Sequence, residues 1–407
     1  MAVEIFVKDP FRQAVEAASG GRNTVIYDDK GYPSVMVRIP RFNLEDIDAS
    51  LGTGVHPAFI VHGRTVSEIW IAKYQAKNIN GRACSLPGVD PTVSINFDTA
   101  KSICEAKGEG WHLWSNAERS AIALWCMKNG FYPRGNDRRG NSNQAPYETA
   151  TPASYDSEGR ICRTLTGTGP QSWNHDNTAW GISDICGNVW EWCDGMRLVN
   201  GQICIVGEDD TPMNNFDTQN QRDNFTGWIK TGVYYDGKTA GDDVQTSRYM
   251  DVQDVINSER KYPNYTGGDV DSYYGCTYQT FSSLESASDY TPPTYLKQLA
   301  LQPINSDVPG GLYCRNYGER LPLVGGSYAS AGGVFALNLC NARSLTLSSS
   351  GLRSALSRRE DKLLRHFARC LRLKVAIFRE RNRLEKQGEM SRLVAFCRTA
   401  RQGYLNV

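Results

Sequence analysis

The chain has 407 residues, 40% of them apolar and 22% charged, with 38 Gly, 9 Trp and 20 Tyr. That length fits about two to three domains, and the composition supports a sizeable core in a loop-rich chain, which excludes a wholly disordered protein. The net charge of +1 excludes a chain-wide nucleic-acid binder, but it averages two unlike parts: 14 Lys/Arg against 5 Asp/Glu from Arg358 onward, and 31 against 39 before it.

No apolar run approaches the ~20 residues of a membrane span, so none is expected. The opening segment carries an acid at Glu4 and no apolar stretch, unlike a secretory signal. The 12 cysteines contain no CxxC pair, and small core residues are the expectation for them. Cys186 and Cys193 bracket a tryptophan cluster, yet no His or second Cys pair stands near them at ligand spacing, so no metal is expected there.

In chain order, Asp9 to Ala18 reads as a short helix ended by Gly20-Gly21. Thr24–Tyr27 and Ser34–Ile39 alternate across the turn Asp28–Gly31, a hairpin that could seal one end of the body or meet a partner. Ala58–Val61 and Glu68–Tyr74 read as strands. Ser94 to Lys107 reads as a helix, with Phe97, Ala100, Ile103 and Cys104 at helical spacing. Ser115 with Glu118 three residues on is a capping box opening a second helix through Ala121, Leu124 and Met127 to Asn129-Gly130. Residues 131–180 read as loop, and 181–194 as a tryptophan-rich block. Residues 195–310 look like a long polar insert of little periodicity, of the kind that is functional or a small subdomain. Short strands return over 311–357. From Arg358 the chain reads as a basic amphipathic helix. The pattern describes an α+β fold with an N-terminal segment (1–50), a main domain (51–357) and a basic tail (358–407).

Gly187-Asn188-Val189-Trp190-Glu191-Trp192, then Gly325-Gly326-Ser327-Tyr328, then Gly351-Leu352-Arg353 carry a resemblance. In that order they are similar to the C-type-lectin-like fold of the formylglycine-generating enzyme (sulfatase-modifying factor) superfamily, over roughly residues 58–357. The enzymes of that superfamily use two cysteines just after the GGS-aromatic motif to bind copper. Written on this chain those positions are Ser330 and Phe335, and neither side chain ligates Cu(I) as a thiolate does. Cys340 is close but stands alone. The resemblance therefore implies no formylglycine-generating activity and no cofactor. An oxidoreductase of that type remains the alternative reading.

Residues 324–355 also resemble the variable region of proteins diversified by diversity-generating retroelements, with the scaffold words Gly325-Gly326-Ser327, Gly333–Leu339, Ala342-Arg343-Ser344 and Gly351–Ala355. Randomising both adenines of an AAC codon cannot produce Lys, Glu, Gln, Met or Trp, and residues 327–350 contain none of the five. Within this region Val334–Leu339 looks like core. Tyr328, Ala329, Ser330, Ala331, Cys340, Leu345, Thr346, Leu347, Ser348, Ser349 and Ser350 look interchangeable, with Val324 a further candidate.

A site that tolerates such substitution cannot rest on fixed catalytic geometry, but it can rest on binding. The resemblance implies a ligand- or receptor-binding protein rather than an enzyme: a phage or prophage tail-fibre adhesin, binding a bacterial surface protein or glycan. Location on the virion, or in the bacterial cytoplasm before assembly, follows from that reading, as does a homo-oligomer such as a trimer. The titratable candidates His112, His175, Asp176, Asp184 and Glu191 form no recognisable nucleophile–base pair, and His175-Asp176 is expected to be solvent-exposed. Arg358–Arg401 could contact nucleic acid or an acidic partner, although an added tail without binding function is the preferred reading. Gly267–Asp271 in the insert suits calcium by residue type only, and no metal is assigned.

Overall fold

The computed structural model describes residues 9–216, 225–235, 248–250, 276–286, 291–315, 318–330 and 332–357. The chain divides into two units, Met1–Ser357 and Arg358–Val407, and the described residues all lie in the first. The basic tail and the Gly267–Asp271 segment fall outside the described residues.

Local chemistry sets the three main helices. Helix α1 (Pro10–Ser19) begins where Asp9 accepts the Arg12 N–H at 3.0 Å and stops at Gly20, whose φ of 60° a glycine adopts without strain. Helix α2 (Phe97–Glu105) is capped by Asn96, which accepts from the Thr99 N–H. Helix α3 (Asn116–Lys128) carries the expected capping box: Ser115 Oγ accepts from the Glu118 N–H, and Glu118 accepts from the Ser115 N–H. It is buried along most of its length, and so sits within the core rather than on its surface.

The expected hairpin forms from β1 (Asn23–Tyr27) and β2 (Pro33–Pro40). It supplies the edge of a five-stranded sheet with β3 (Glu68–Ala72), β4 (Trp111–Leu113) and β14 (Ser354–Leu356), in the order β1-β2-β3-β14-β4. Of the expected strand at 58–61, only Ile60–Val61 pairs, and Pro57–Phe59 turns as a short 3-10 helix.

A second, twelve-stranded sheet holds β5 (Trp190–Trp192), β6 (Met196–Val199), β7 (Gln202–Glu208), β8 (Trp228–Tyr235), β9 (Thr277–Thr280), β10 (Gly311–Cys314), β11 (Glu319–Val324), β12 (Leu337–Asn341) and β13 (Ser350–Leu352), with three shorter strands. The region expected to be an irregular insert is therefore partly sheet. Strands β6 to β8 form a meander whose Leu198, Ile203, Ile205 and Val233 are fully buried. Strand β6 pairs with β11 through Leu198 and Arg320, which welds this region to the body.

Tryptophan and cysteine fill the core. Trp192 lies edge-on to Phe97 at 5.8 Å, and its indole N–H donates to the Ile95 carbonyl at 2.8 Å. Trp114 in turn donates to the Trp192 carbonyl. Eight described cysteines, Cys186 and Cys193 among them, are buried thiols. Cys340, which looks solitary in the sequence, is joined to Cys276 in a disulfide.

Candidate ligand-binding surface

The GNVWEW block anchors the surface. Gly187 takes φ 73°, and a Cβ there would lie 2.3 Å from the Asn136 carbonyl oxygen, so no other residue fits. Asn188 also sits at positive φ, and its amide is fully engaged: Nδ2 donates to Gln75 Oε1 at 2.8 Å, and Oδ1 accepts the Thr164 N–H at 2.8 Å. Gln75 Nε2 reaches the Asp184 and Val189 carbonyls and Glu191 Oε1.

Strand β5 then lies between two others. It runs antiparallel to β11 (Leu323 opposite Trp192) and parallel to β13 (Gly351 opposite Glu191). Between β13 and β14 stands Arg353, where the chain leaves the large sheet for the five-stranded one. Its guanidinium is fully buried, and each of its five N–H donors has an acceptor. Nε and Nη2 grip both oxygens of Glu191 at 2.8 and 2.7 Å, Nη1 donates to the Ala72 and Lys73 carbonyls, and Nη2 to that of Ser183. Glu191 and Arg353 thus tie both sheets and the Ser183-Asp184 turn at one point.

Two loops spring from this clasp. After β11, the Tyr328 N–H donates to the Asn188 carbonyl at 3.0 Å; before β13, the Ser349 carbonyl accepts the Trp190 N–H at 2.8 Å. Both loops are therefore pinned by backbone to one short stretch, 188–190, and their side chains are left over for other contacts. Ala329, Thr346, Leu347 and Ser348 are exposed; Tyr328, Ser330 and Ser349 are half-buried. Two arginines of the 131–180 loop brace them. The Arg139 guanidinium lies 5.3 Å from the Tyr328 ring centre, and Arg163 pairs with Asp90 while donating to the Ser348 carbonyl at 3.3 Å. Sequence reading passes over these arginines; their sole signal is a place in a long Arg-, Asn- and Gly-rich loop.

Other candidate positions do not join this surface. Ser350 is fully buried in β13, and Val324 is buried in β11 at its contact with β5, so neither is displayed. Both corrections have the same cause: these residues are strand, where a side chain packs against a neighbouring layer. Leu345 packs against the main core. Cys340 is half-buried and held in its disulfide. Asn338, grouped with the core in sequence, is half-buried, and Ala331 lies outside the described residues.

Four of the titratable candidates, His175, Asp176, Asp184 and Glu191, gather around Lys73 and Arg353 while His112 lies apart, and the contacts of each are structural. His112 stacks on Phe216 at 3.7 Å, with Nε2 against Glu118 and Nδ1 against the Gly110 carbonyl. His175 is buried, contrary to the expectation of exposure, and burial holds its pKa down to about 4. Asp176 accepts from Thr178. Asp184 is buried and pushed up to about 6 by that burial, with the Gly167 N–H acting against the shift. Among the described residues no three His, Cys, Asp or Glu side chains group as metal ligands.

The copper chemistry of the resembled enzymes does not fit these residues. At the first position, Ser330 Oγ is hydrogen-bonded to the Ser327 N–H and hydroxyl, both at 2.9 Å. At the second, Phe335 is buried against Phe281, with ring centres 5.7 Å apart. A hydroxyl and a phenyl ring replace the thiolate pair.

Comparison with known proteins agrees with the sequence motifs. No curated protein matches the chain. Among solved structures, it is similar to variable protein 1 of Treponema denticola at 12% identity, over 83% of this chain and 99% of that one, with a TM-score of 0.30. That likeness is too slight to carry a conclusion. Residues 12–250 match the model of the sulfatase-modifying factor enzyme 1-like domain. The match spans more than half of the chain, from α1 through the GNVWEW clasp to the strands beyond it, and with it the protein belongs to the sulfatase-modifying factor enzyme 1-like domain family.

Proposed function

We propose that this protein binds ligands through the paired loops 328–331 and 345–349, and that a retroelement diversifies those loops. One observation carries the reading. Both loops are fixed through backbone groups to residues 188–190, whereas Ala329, Thr346, Leu347 and Ser348 face solvent. Backbone anchoring holds these points of the loop path whatever the exposed side chains are, as a diversified binding face requires, while Ser330 adds a side-chain bond to Ser327 within the first loop. The residue set supports it, since 327–350 holds none of the five residues that adenine randomisation of AAC cannot reach.

The face is not catalytic in this reading. The positions that ligate copper in the resembled enzymes carry Ser330 and Phe335. The biological setting we assign is a phage or prophage tail-fibre adhesin that contacts a bacterial surface protein or glycan. In this copy Tyr328 is the only ring among the candidate positions, so each site binds weakly, and multivalent display in a homo-oligomer such as a trimer raises the avidity.

Sequencing the surrounding locus tests the proposal. The expected result is a nearby near-copy of the codons for 324–355 that differs almost wholly at adenines, beside a reverse-transcriptase gene. Differing codons should fall on the exposed loop positions and spare Ser350 and Val324. Absence of any such template defeats the reading and reopens oxidoreductase chemistry.

A further inference from the structure

A cavity of about 280 Å³ opens among α3, β2 and the loop at 175–180. Its walls are apolar: Phe42, Trp125 and Trp180 line it, with Ile39 and Ile122. The volume falls at the small end of ligand pockets, which run from about 300 to 1,000 Å³.

One wall residue has an unused polar atom. His175 is 6% exposed, and Trp125 flanks it with ring centres 5.3 Å apart. The Ile182 N–H donates to its Nδ1 at 2.8 Å, so the proton of the neutral ring sits on Nε2. Among the described residues nothing accepts from that Nε2–H, which is left for water or a ligand in the cavity that His175 lines. At the rim, Arg22 and Arg41 are exposed, and neither guanidinium has a partner among the described residues. Their neighbour Arg38 is taken by Glu68, and the only acid of the lining, Asp176, is occupied by Thr178.

We propose that this cavity is a binding site for a small aryl carboxylate that carries an oxygen acceptor at the end away from its carboxylate. The ring lies between Trp125, Trp180 and Phe42. The carboxylate meets Arg22 and Arg41, which match it in charge, and the distal oxygen accepts from His175 Nε2–H. The site lies apart from the 328–349 loops and does not depend on their role.

The test is a saturation-transfer NMR titration of the full chain with 3-(4-hydroxyphenyl)propionate. Saturable binding with a Kd of about 1 mM or tighter is expected. Affinity should fall about fivefold or more for its amide, for 3-phenylpropionate, and in the double variant Arg22→Gln/Arg41→Gln. Both arginines are exposed, so the double variant should keep the wild-type circular dichroism and melting temperature. No saturation by about 10 mM overturns the proposal. So does an affinity that is the same for the amide, for 3-phenylpropionate and for the double variant.

Discussion

Arg353 is the residue on which the two sheets converge, and its energetics follow from burial. A guanidinium removed from water is tolerated here because Glu191 cancels its charge and three backbone carbonyls accept its remaining protons. Replacing Glu191 with Ala leaves that charge unopposed, and the expected loss is about 3–5 kcal/mol of unfolding free energy, read from urea denaturation. A loss below about 1 kcal/mol would show that the pair is not what holds the junction. The loop positions should behave in the opposite way. Single substitutions at Ala329, Thr346, Leu347 or Ser348 are expected to shift stability by about 0.5 kcal/mol or less, because these side chains face solvent. Ser350→Tyr, by contrast, drives a ring into a fully buried strand position and should cost about 1–3 kcal/mol or more. If Ser350→Tyr melts with the surface set, the inward placement of β13 is wrong.

Elements differ in how far the sequence reveals them, and the difference is one of range. The start of α3 is written within four residues, Ser115 to Glu118, and Ser115→Ala should cost about 1–2 kcal/mol in chemical denaturation. That value includes the bond from Ser115 Oγ to Asn214 Oδ1 at 2.7 Å, which no capping pattern foretells. Helices α1 and α2 are legible for the same local reasons, caps and periodic apolar residues. In 195–235 the hairpin of β6 and β7 is written locally, in the turn Asn200-Gly201 at φ 48° and 86°, and the polar-insert reading passes over it, whereas the pairing of β6 with β11 is long-range and has no local signal. Cys340 looks solitary because its partner stands 64 residues earlier. His175 looks exposed because Asn174, Asp176 and Asn177 surround it, yet Trp125 of α3 covers it. On the candidate surface, the motif residues Asn188, Tyr328 and Arg353 are legible, and the bracing by Arg139 and Arg163 is a product of tertiary packing alone.

Across the whole molecule, buried titratable groups set a pH dependence in which opposite signs compete. Burial holds His175 at about 4 and His56 at about 3, both below the ~6.5 of an unfolded chain. Between those values the unfolded state binds protons that the fold refuses, so this contribution is complete above pH ~6.5 and is lost as pH falls. Asp184 runs the other way. Burial lifts it to about 6, above the ~3.9 of an unfolded aspartate, so the fold keeps a proton that the unfolded chain has already released. Its contribution is complete below pH ~4 and is lost as pH rises through 6. Asp184→Asn isolates this effect, since asparagine tolerates the residue's φ of 54° and can still accept from the Gly167 N–H. The stability of the variant relative to wild type should climb by about 1.4 kcal/mol per pH unit between pH ~4 and ~6 and stay level above that. Urea midpoints taken at half-unit steps across that window measure the difference, and the histidines cancel because both proteins share them. Parallel curves would mean that Asp184 is ionised in the fold throughout, with Arg353 and Lys73 outweighing its burial.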